Sequence, residues 1–432
     1  LTALLGLNDQ SSTLANAYLQ VNTTSAPGAG IVSDTIQFHG AADLYSAAGA
    51  STIATLFSDA TTGTTSPAVT IASVGTFGGQ AAAFTFDLAR SIVYTRQGNP
   101  AWSRQERDGI APIRSDDLFF GAAGGDPQPD WVDLNKVAIP QADEQQRLLG
   151  NLLLHLNRAR KPFPRFWYLP RSGKAALVMT GDDHGNGGTV GRFNQFKSLS
   201  TPGCSVGDWQ CIRGTAYIYT NTPGMDDATS LGFVNDGFEV ALHVSSNCAD
   251  WTPASLATFY SQQIAQFRAT LPSVPAPQTN RTHCIVWSDY VTQPKVSLAN
   301  GIRLDTNYYY FPPNWVQNRP GLFTGSAMPM RFADLDGATI DVYQATTQMT
   351  HESGQAYPFT SDTLFDRALG PLGYYGVFTA NMNTDLPTEQ PSDAAVNSAI
   401  TRGIPVVSAK QMLDWLDGRN GSSFTLTSWD GH

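Results

Sequence analysis

The stretch Ala175-Ala176-Leu177-Val178-Met179-Thr180-Gly181-Asp182-Asp183-His184-Gly185 runs from an apolar segment straight into two carboxylates and an imidazole. An apolar run of that length, closed by a glycine, is the pattern of a buried strand. Carboxylates are costly to bury unless they are paired or bound to a cation. A strand that ends in two of them therefore has the chemistry of an active-site edge. One carboxylate can hold a metal while its neighbour takes a proton from water. The competing reading is a helix N-cap and a solvated turn after a core strand.

Around that stretch, residues 166–432 alternate strand and helix patterns. The expected strands are 175–180, 215–219, 238–242, 283–287, 301–305, 338–343, 374–379 and 404–407, with helices at 253–270 and 409–418 among those between them. This alternation predicts an α/β fold, an irregular (β/α) barrel, in which chemistry gathers at the C-terminal ends of strands. Reading those ends together gives Asp182, Asp183 and His184, then His243, then the segment Arg281-Thr282-His283-Cys284-Ile285-Val286-Trp287-Ser288-Asp289, then Asp305, Asn307 and Tyr308-Tyr309-Tyr310, and last Asn381, Asn383 and Asp385. Polar groups at five strand ends point to a metal-assisted hydrolase.

Residues 1–140 read as a smaller α/β or β-rich domain. Short alternating or apolar runs there (35–38, 52–57, 68–74, 81–86) are separated by Gly, Thr, Ser and Pro turns. Residues 141–165 follow as a helix and a Pro-containing linker. Leu148, Leu149, Leu152, Leu153 and Leu156 fall at helical spacing over 142–160, with Arg158, Arg160 and Lys161 at the C-terminal end and Pro162 and Pro164 as stops.

Charge and composition narrow the partners. Lys+Arg number 26 against 36 Asp+Glu, a net charge of -10, which disfavours nucleic acid and anionic membranes. No apolar stretch approaches the ~20 residues of a membrane span. The chain begins at Leu1 rather than methionine, as a processed or truncated form would. Its four cysteines, Cys204, Cys211, Cys248 and Cys284, contain no Cys-x-x-Cys pair, and three pairings are open to them. With few lysines and polar loops, they suggest a secreted, periplasmic or cell-surface protein with disulfides.

The second part resembles the polysaccharide deacetylase superfamily, the metal-dependent sugar N-deacetylases. The resemblance lies in Thr180-Gly181-Asp182-Asp183 and in His243-Val244-Ser245-Ser246-Asn247, together with their order on strand ends. It implies Asp182 as general base and a divalent metal, zinc by preference, on Asp183, His243 and Asn247. Asn247 stands where the family has a second histidine. The family's late histidine, its general acid, is replaced here by the asparagines of Phe378-Thr379-Ala380-Asn381-Met382-Asn383. His184 or His283 would then donate the proton, with His351 a third candidate. Arg281 could correspond to the arginine that orients the base, although the residues around it depart from the family's pattern. Arg281, Trp287, Asp305, Tyr308 and Asn383 are expected to face substrate, and Tyr309, Tyr310 and Trp315 could stack on sugar rings. The implied function is removal of acetyl groups from N- or O-acetylated polysaccharide, or glycan binding on a degenerate barrel; metal-dependent hydrolysis of another amide or ester is the third reading, since fold does not fix substrate. Gly79-Gln80-Ala81-Ala82-Ala83-Phe84-Thr85-Phe86-Asp87-Leu88 resembles the last strand-to-helix unit of an amidotransferase-like, flavodoxin-like domain, which implies a partial accessory domain.

Overall fold

The computed structural model describes residues 1–122, 126, 129–158 and 163–428. Residues Arg160, Lys161 and Pro162, expected to close the helix before the linker, lie outside them. The N-terminal strands are Leu7–Ala15 (β1), Tyr18–Val21 (β2), Ile36–Gln37 (β3), Ala41–Ala47 (β4), Ser51–Phe57 (β5), Gly63–Val74 (β6) and Gly79–Phe84 (β7). β3-β2-β5-β6-β7 form one sheet, antiparallel throughout, and β1 pairs with β4 in another. The flavodoxin-like expectation is corrected here. β7 does lead into helix α1 (Leu88–Gln97), capped by the Asp87 side chain on Arg90 N–H, but its sheet is built from hairpins rather than parallel crossovers. Short runs joined by tight turns leave no room for the dozen or more residues that a parallel crossover needs.

Helix α2 (Gln141–Asn157) lays Leu148 and Leu152 on the sheet core beside Leu19, Phe38 and Leu56. Helix α1 bonds this region to the second: Tyr308 Oη donates to Gln97 O at 3.0 Å, Gln344 Nε2 to Arg96 O at 2.9 Å, and Arg96 Nη2 to Met328 O at 2.8 Å.

In the second part, parallel strands β8 (Ala175–Asp183), β9 (Thr215–Ile218), β10 (Glu239–Val244), β11 (Thr279–Thr282) and β12 (Leu304–Asp305) follow one another across the sheet. β13 (Met330–Ala333) and β14 (Thr339–Gln344) form a hairpin beyond β12, while β15 (Thr347–Thr350) and β16 (Gly376–Asn381) lie on the other side of β8. β17 (Val406–Val407) pairs with the first half of β8. A parallel bridge between Tyr309 and Thr347 joins the chain just after β12 to β15, so the curled sheet meets itself. This is the irregular (β/α) barrel that the alternation predicted, with a β-rich region added in front.

The helices of this part are α3 (Thr189–Leu199), α4 (Asp227–Asn235), α5 (Pro253–Thr270), α6 (Thr292–Ala299), α7 (Pro313–Val316), α8 (Phe359–Leu369), α9 (Gln390–Thr401) and α10 (Ala409–Gly421). Every residue of β8 is buried, as a parallel strand covered on both faces requires. Leu177 and Met179 pack with Phe193, Phe196 and Phe378, while Ala176 and Val178 pack with Met412 and Leu413 of α10. Helix α5 starts where the sequence says: Thr252 and Ser255 form a reciprocal capping box around Pro253.

One strand is displaced from its expected place. The strand read at 283–287 ends instead at Thr282. His283–Ile285 is a single helical turn, with Cys284 at φ 56° and Ile285 at φ 49°. Left-handed backbone cannot continue a β ladder. The turn sends Trp287 into the core rather than along the barrel wall.

Candidate metal centre

Three strands of the parallel run deliver the centre, with β9 standing between the first and the second. His184 follows β8, His243 lies in β10, and His283 follows β11. Their ring centroids stand 5.0–5.3 Å apart, and one ring nitrogen from each lies within 4.8 Å of the other two. The outer nitrogens are already engaged. His184 Nδ1 meets Asp385 Oδ2 at 2.8 Å, and His243 Nδ1 meets Arg281 O at 3.1 Å. A carboxylate or carbonyl on one ring nitrogen leaves the other as a lone-pair donor, the arrangement that metal-ligating histidines show. His243 Nε2 then faces His283 Nδ1 at 3.3 Å. Three imidazoles converging in this way fit a divalent cation of the zinc type.

Asp182 lies beside them. Its Oδ2 accepts from Arg281 Nε at 2.9 Å and from Asn381 Nδ2 at 3.1 Å. Its Oδ1 is buried without a hydrogen-bond partner and stands 3.9 Å from His243 Nδ1. Burial raises the Asp182 pKa, but Arg281, His243 and His184 outweigh it and leave the carboxyl below its ordinary value. The His243 imidazole is pushed down to about 4, chiefly by burial and against the pull of Asp182. Burial and the neighbouring His184 lower His283 as well. Arg281 also donates to Thr306 O at 3.1 Å, and its guanidinium lies 4.6 Å from the Tyr309 ring.

Residues that strand-end reasoning had put in one list thus stand side by side: Asp182, His184, His243, His283 and Arg281. Others do not join them. Asp183 Oδ1 accepts the backbone N–H groups of Gly185, Asn186 and Gly187, and its Oδ2 accepts Thr189 N–H and Oγ1. It holds the loop behind His184 and has both oxygens occupied, so His184 offers the ring nitrogen where the family likeness had put Asp183. Asn247 is exposed in the turn after β10, at φ 58°. The next strand brings His283 to His243 instead.

Trp287 and Tyr308 are core residues, 1% and 0% exposed, packed on each other and on Phe332. They present no face to a sugar. Tyr310 stacks on Phe323, and Trp315 packs on Phe120. Asp305 is fully buried and bonded to Asn280 and Asn307, again away from substrate. Asn383 is half-buried on the loop that leads to Asp385, with Oδ1 unpartnered. His351, at the end of β15, has Nδ1 3.4 Å from Asn381 O.

Three contributors had not been assigned roles. Tyr219 follows β9, with its ring 5.4–6.1 Å from all three imidazoles, and burial pushes its hydroxyl up to about 12. Its signal was its place as the last residue of the strand expected at 215–219. Asn381 and Asp385 were signalled by their place after the strand expected at 374–379. Both belong to the β16 end that brackets the carboxylate and His184.

No family model matches the chain, and no curated protein sequence matches it. Solved structures do. One from Mycobacterium smegmatis, assigned as a polysaccharide deacetylase, is 12% identical and covers 62% of this chain and 99% of its own, at a TM-score of 0.40. A family 4 carbohydrate esterase from Streptomyces lividans is 13% identical, covers 53% and 90%, and has a TM-score of 0.28. A family 4 pseudoenzyme from Bacillus anthracis is 9% identical, covers 56% and 66%, and has a TM-score of 0.32. At such distances the chemistry has to come from this chain's own side chains.

The two disulfides are Cys204–Cys211 and Cys248–Cys284. No helix among the described residues is long and apolar enough to cross a membrane.

Proposed function

We propose that the protein is a metal-dependent hydrolase that removes acetyl groups from N- or O-acetylated polysaccharide. The observation that carries this reading is the convergence of His184, His243 and His283 beside a buried carboxylate with one oxygen free. His184, His243 and His283 would hold the ion, zinc being the best match to three imidazoles. Such an ion supplies Lewis acidity, polarising an acyl carbonyl and making water more acidic.

The remaining work falls to the protein. Asp182 is held ionised by Arg281, and its free Oδ1 takes the proton from the attacking water. Arg281 and Asn381 fix which oxygen is free. Burial keeps the Tyr219 hydroxyl neutral beside its hydrogen-bond partner Ser245, and the ring closes the site against the three imidazoles. Among the described residues, with His184 and His283 as ligands, His351, whose Nδ1 lies 3.4 Å from Asn381 O, would protonate the leaving group. The polysaccharide substrate rests on the family likeness rather than on the site. The two disulfides favour a secreted, periplasmic or cell-surface setting.

The test is acetate release from acetylated glycans by zinc-loaded protein. Asp182→Asn should lose roughly 10²–10⁴-fold in rate, the usual contribution of a positioned general base, while keeping its metal. No release from any acetylated glycan would sink the deacetylase. Glycan binding without turnover would favour the degenerate binding barrel, which Asn381 and Asn383 in the late-histidine region support.

A further inference from the structure

The Cys248–Cys284 disulfide sits directly against the histidine cluster. Cys284 follows His283, and Cys248 closes the turn that begins at the end of β10, the strand carrying His243. Both ends of the bridge lie in left-handed backbone: Asn247 and Cys248 at φ 58° and 54°, Cys284 and Ile285 at φ 56° and 49°. Two adjacent pairs of non-glycine residues of this kind, one residue of them β-branched, do not hold their shape by local preference. Something must impose it. The β10–β11 ladder stops at the Val244–Thr282 pair, so it does not reach this far. Beyond it, the turn is held by the disulfide bridge, by the hydrogen bond from Arg114 Nε to Cys284 O at 3.0 Å, and just downstream by the antiparallel β-bridge between Arg114 and Val286 with Trp287 N–H on Ile113 O at 2.8 Å. That turn sets the peptide bearing His283, whose Nδ1 comes within 3.3 Å of His243 Nε2.

We propose that Cys248 and Cys284 are positioning residues for the metal centre: their bridge holds the turn that aims His283 at His243 and so sets metal affinity. This rests on reading the histidine cluster as a metal site. The other bridge, Cys204–Cys211, lies in the loop leading to the start of β9, away from the strand ends that carry the histidines. It is a built-in control, because losing it should lower stability without touching the centre.

The experiment compares Cys248→Ala/Cys284→Ala with Cys204→Ala/Cys211→Ala. Zinc affinity is measured in metal-depleted protein by competition with a chromophoric chelator, and circular dichroism checks the fold. The first variant should bind zinc roughly 10–100-fold more weakly, the cost typical of losing a partner that orients a ligand. The second should match the wild type within about twofold, since it removes no such partner. Saturating zinc should restore acetate release in the first variant. If that variant does not fold, Cys248→Ala/Cys284→Gly replaces it, because glycine takes φ 56° without strain. Equal affinity in the wild type and the site variant overturns the proposal. Should the wild type bind no zinc, the metal reading fails by itself. Amide exchange over 282–286 in metal-free protein then decides the clamp. Faster exchange only on loss of Cys248–Cys284 upholds the bridge as what orders His283, and unchanged exchange refutes it.

Discussion

Arg281→Met isolates the pair at the heart of the site. Arg281 is 1% exposed and Asp182 6% exposed, with Nε and Oδ2 2.9 Å apart. At that separation, and an effective dielectric of about 20, the charges attract by about 6 kcal/mol. Desolvation of both ions offsets much of this, so the pair itself adds little net stability. Breaking it is different. Methionine fills much of the space but leaves Asp182 as a buried anion whose Oδ2 keeps only Asn381 Nδ2. Removing one partner of a buried pair costs about 3–5 kcal/mol. Neutralising the other as well, in Asp182→Asn/Arg281→Met, should recover most of that loss. Denaturant unfolding of the wild type, both single variants and the double variant completes the cycle. The single Arg281→Met variant should unfold at much lower denaturant than the double, with unchanged m. A loss under about 1 kcal/mol, the range of exposed pairs, or a double variant no more stable than the single, would refute the claim that Arg281 holds a buried, ionised Asp182.

Three further outcomes follow from the geometry. Asp183→Ala leaves the loop donors of residues 185–189 unpaired; it should cost about 1–3 kcal/mol in denaturant unfolding and still retain one metal per chain by elemental analysis. Loss of the metal with the fold intact would restore Asp183 as a ligand. Trp287→Ala should cost about 3–5 kcal/mol in stability, as for other buried aromatics, while glycan affinity of the folded protein stays unchanged in calorimetry; a selective loss of affinity would return Trp287 to the substrate face. Burial pushes Glu239 up to about 7 against the hydrogen bonds of Thr215, Thr279 and the Lys410 N–H. The folded state therefore holds that proton more tightly than the unfolded chain, whose value is near 4.5. The resulting stability is full below pH ~4.5 and lost as pH rises through about 7, a change of about 3 kcal/mol at 1.36 kcal/mol per unit. Glu239→Gln should abolish that part of the pH dependence, and an unaltered profile would contradict it.

Much of the barrel was legible because its signals are local. β8 is buried on both faces, so its apolar run is continuous, and α5 carries its own start signal in Thr252, Pro253 and Ser255. Strand-end reasoning also grouped residues that stand together in the structure, since parallel strands deliver their next residues to one rim. It could not tell Asp183 from His184. Adjacent residues at a strand end diverge according to how the following loop folds, and here five loop donors close on Asp183. Nor could it see that the partner of His243 comes from the next strand rather than from Asn247 four residues on. The reason is the left-handed turn at Cys284 and Ile285, which a sequence of ordinary L-residues does not advertise. The same turn removes Trp287 from the barrel mouth. In the N-terminal region, the strand-to-helix unit at 79–97 looked parallel in isolation, and only the hairpin β6–β7 shows that its sheet is antiparallel.

The most direct test is the metal content of purified, zinc-reconstituted protein, in the wild type and in His184→Ala, His243→Ala and His283→Ala. The account predicts one divalent ion per chain in the wild type and its loss or severe weakening in each variant, with folding retained by circular dichroism. A wild type that binds no ion after reconstitution, or variants that bind it as tightly, would contradict the metal centre and the hydrolase built on it.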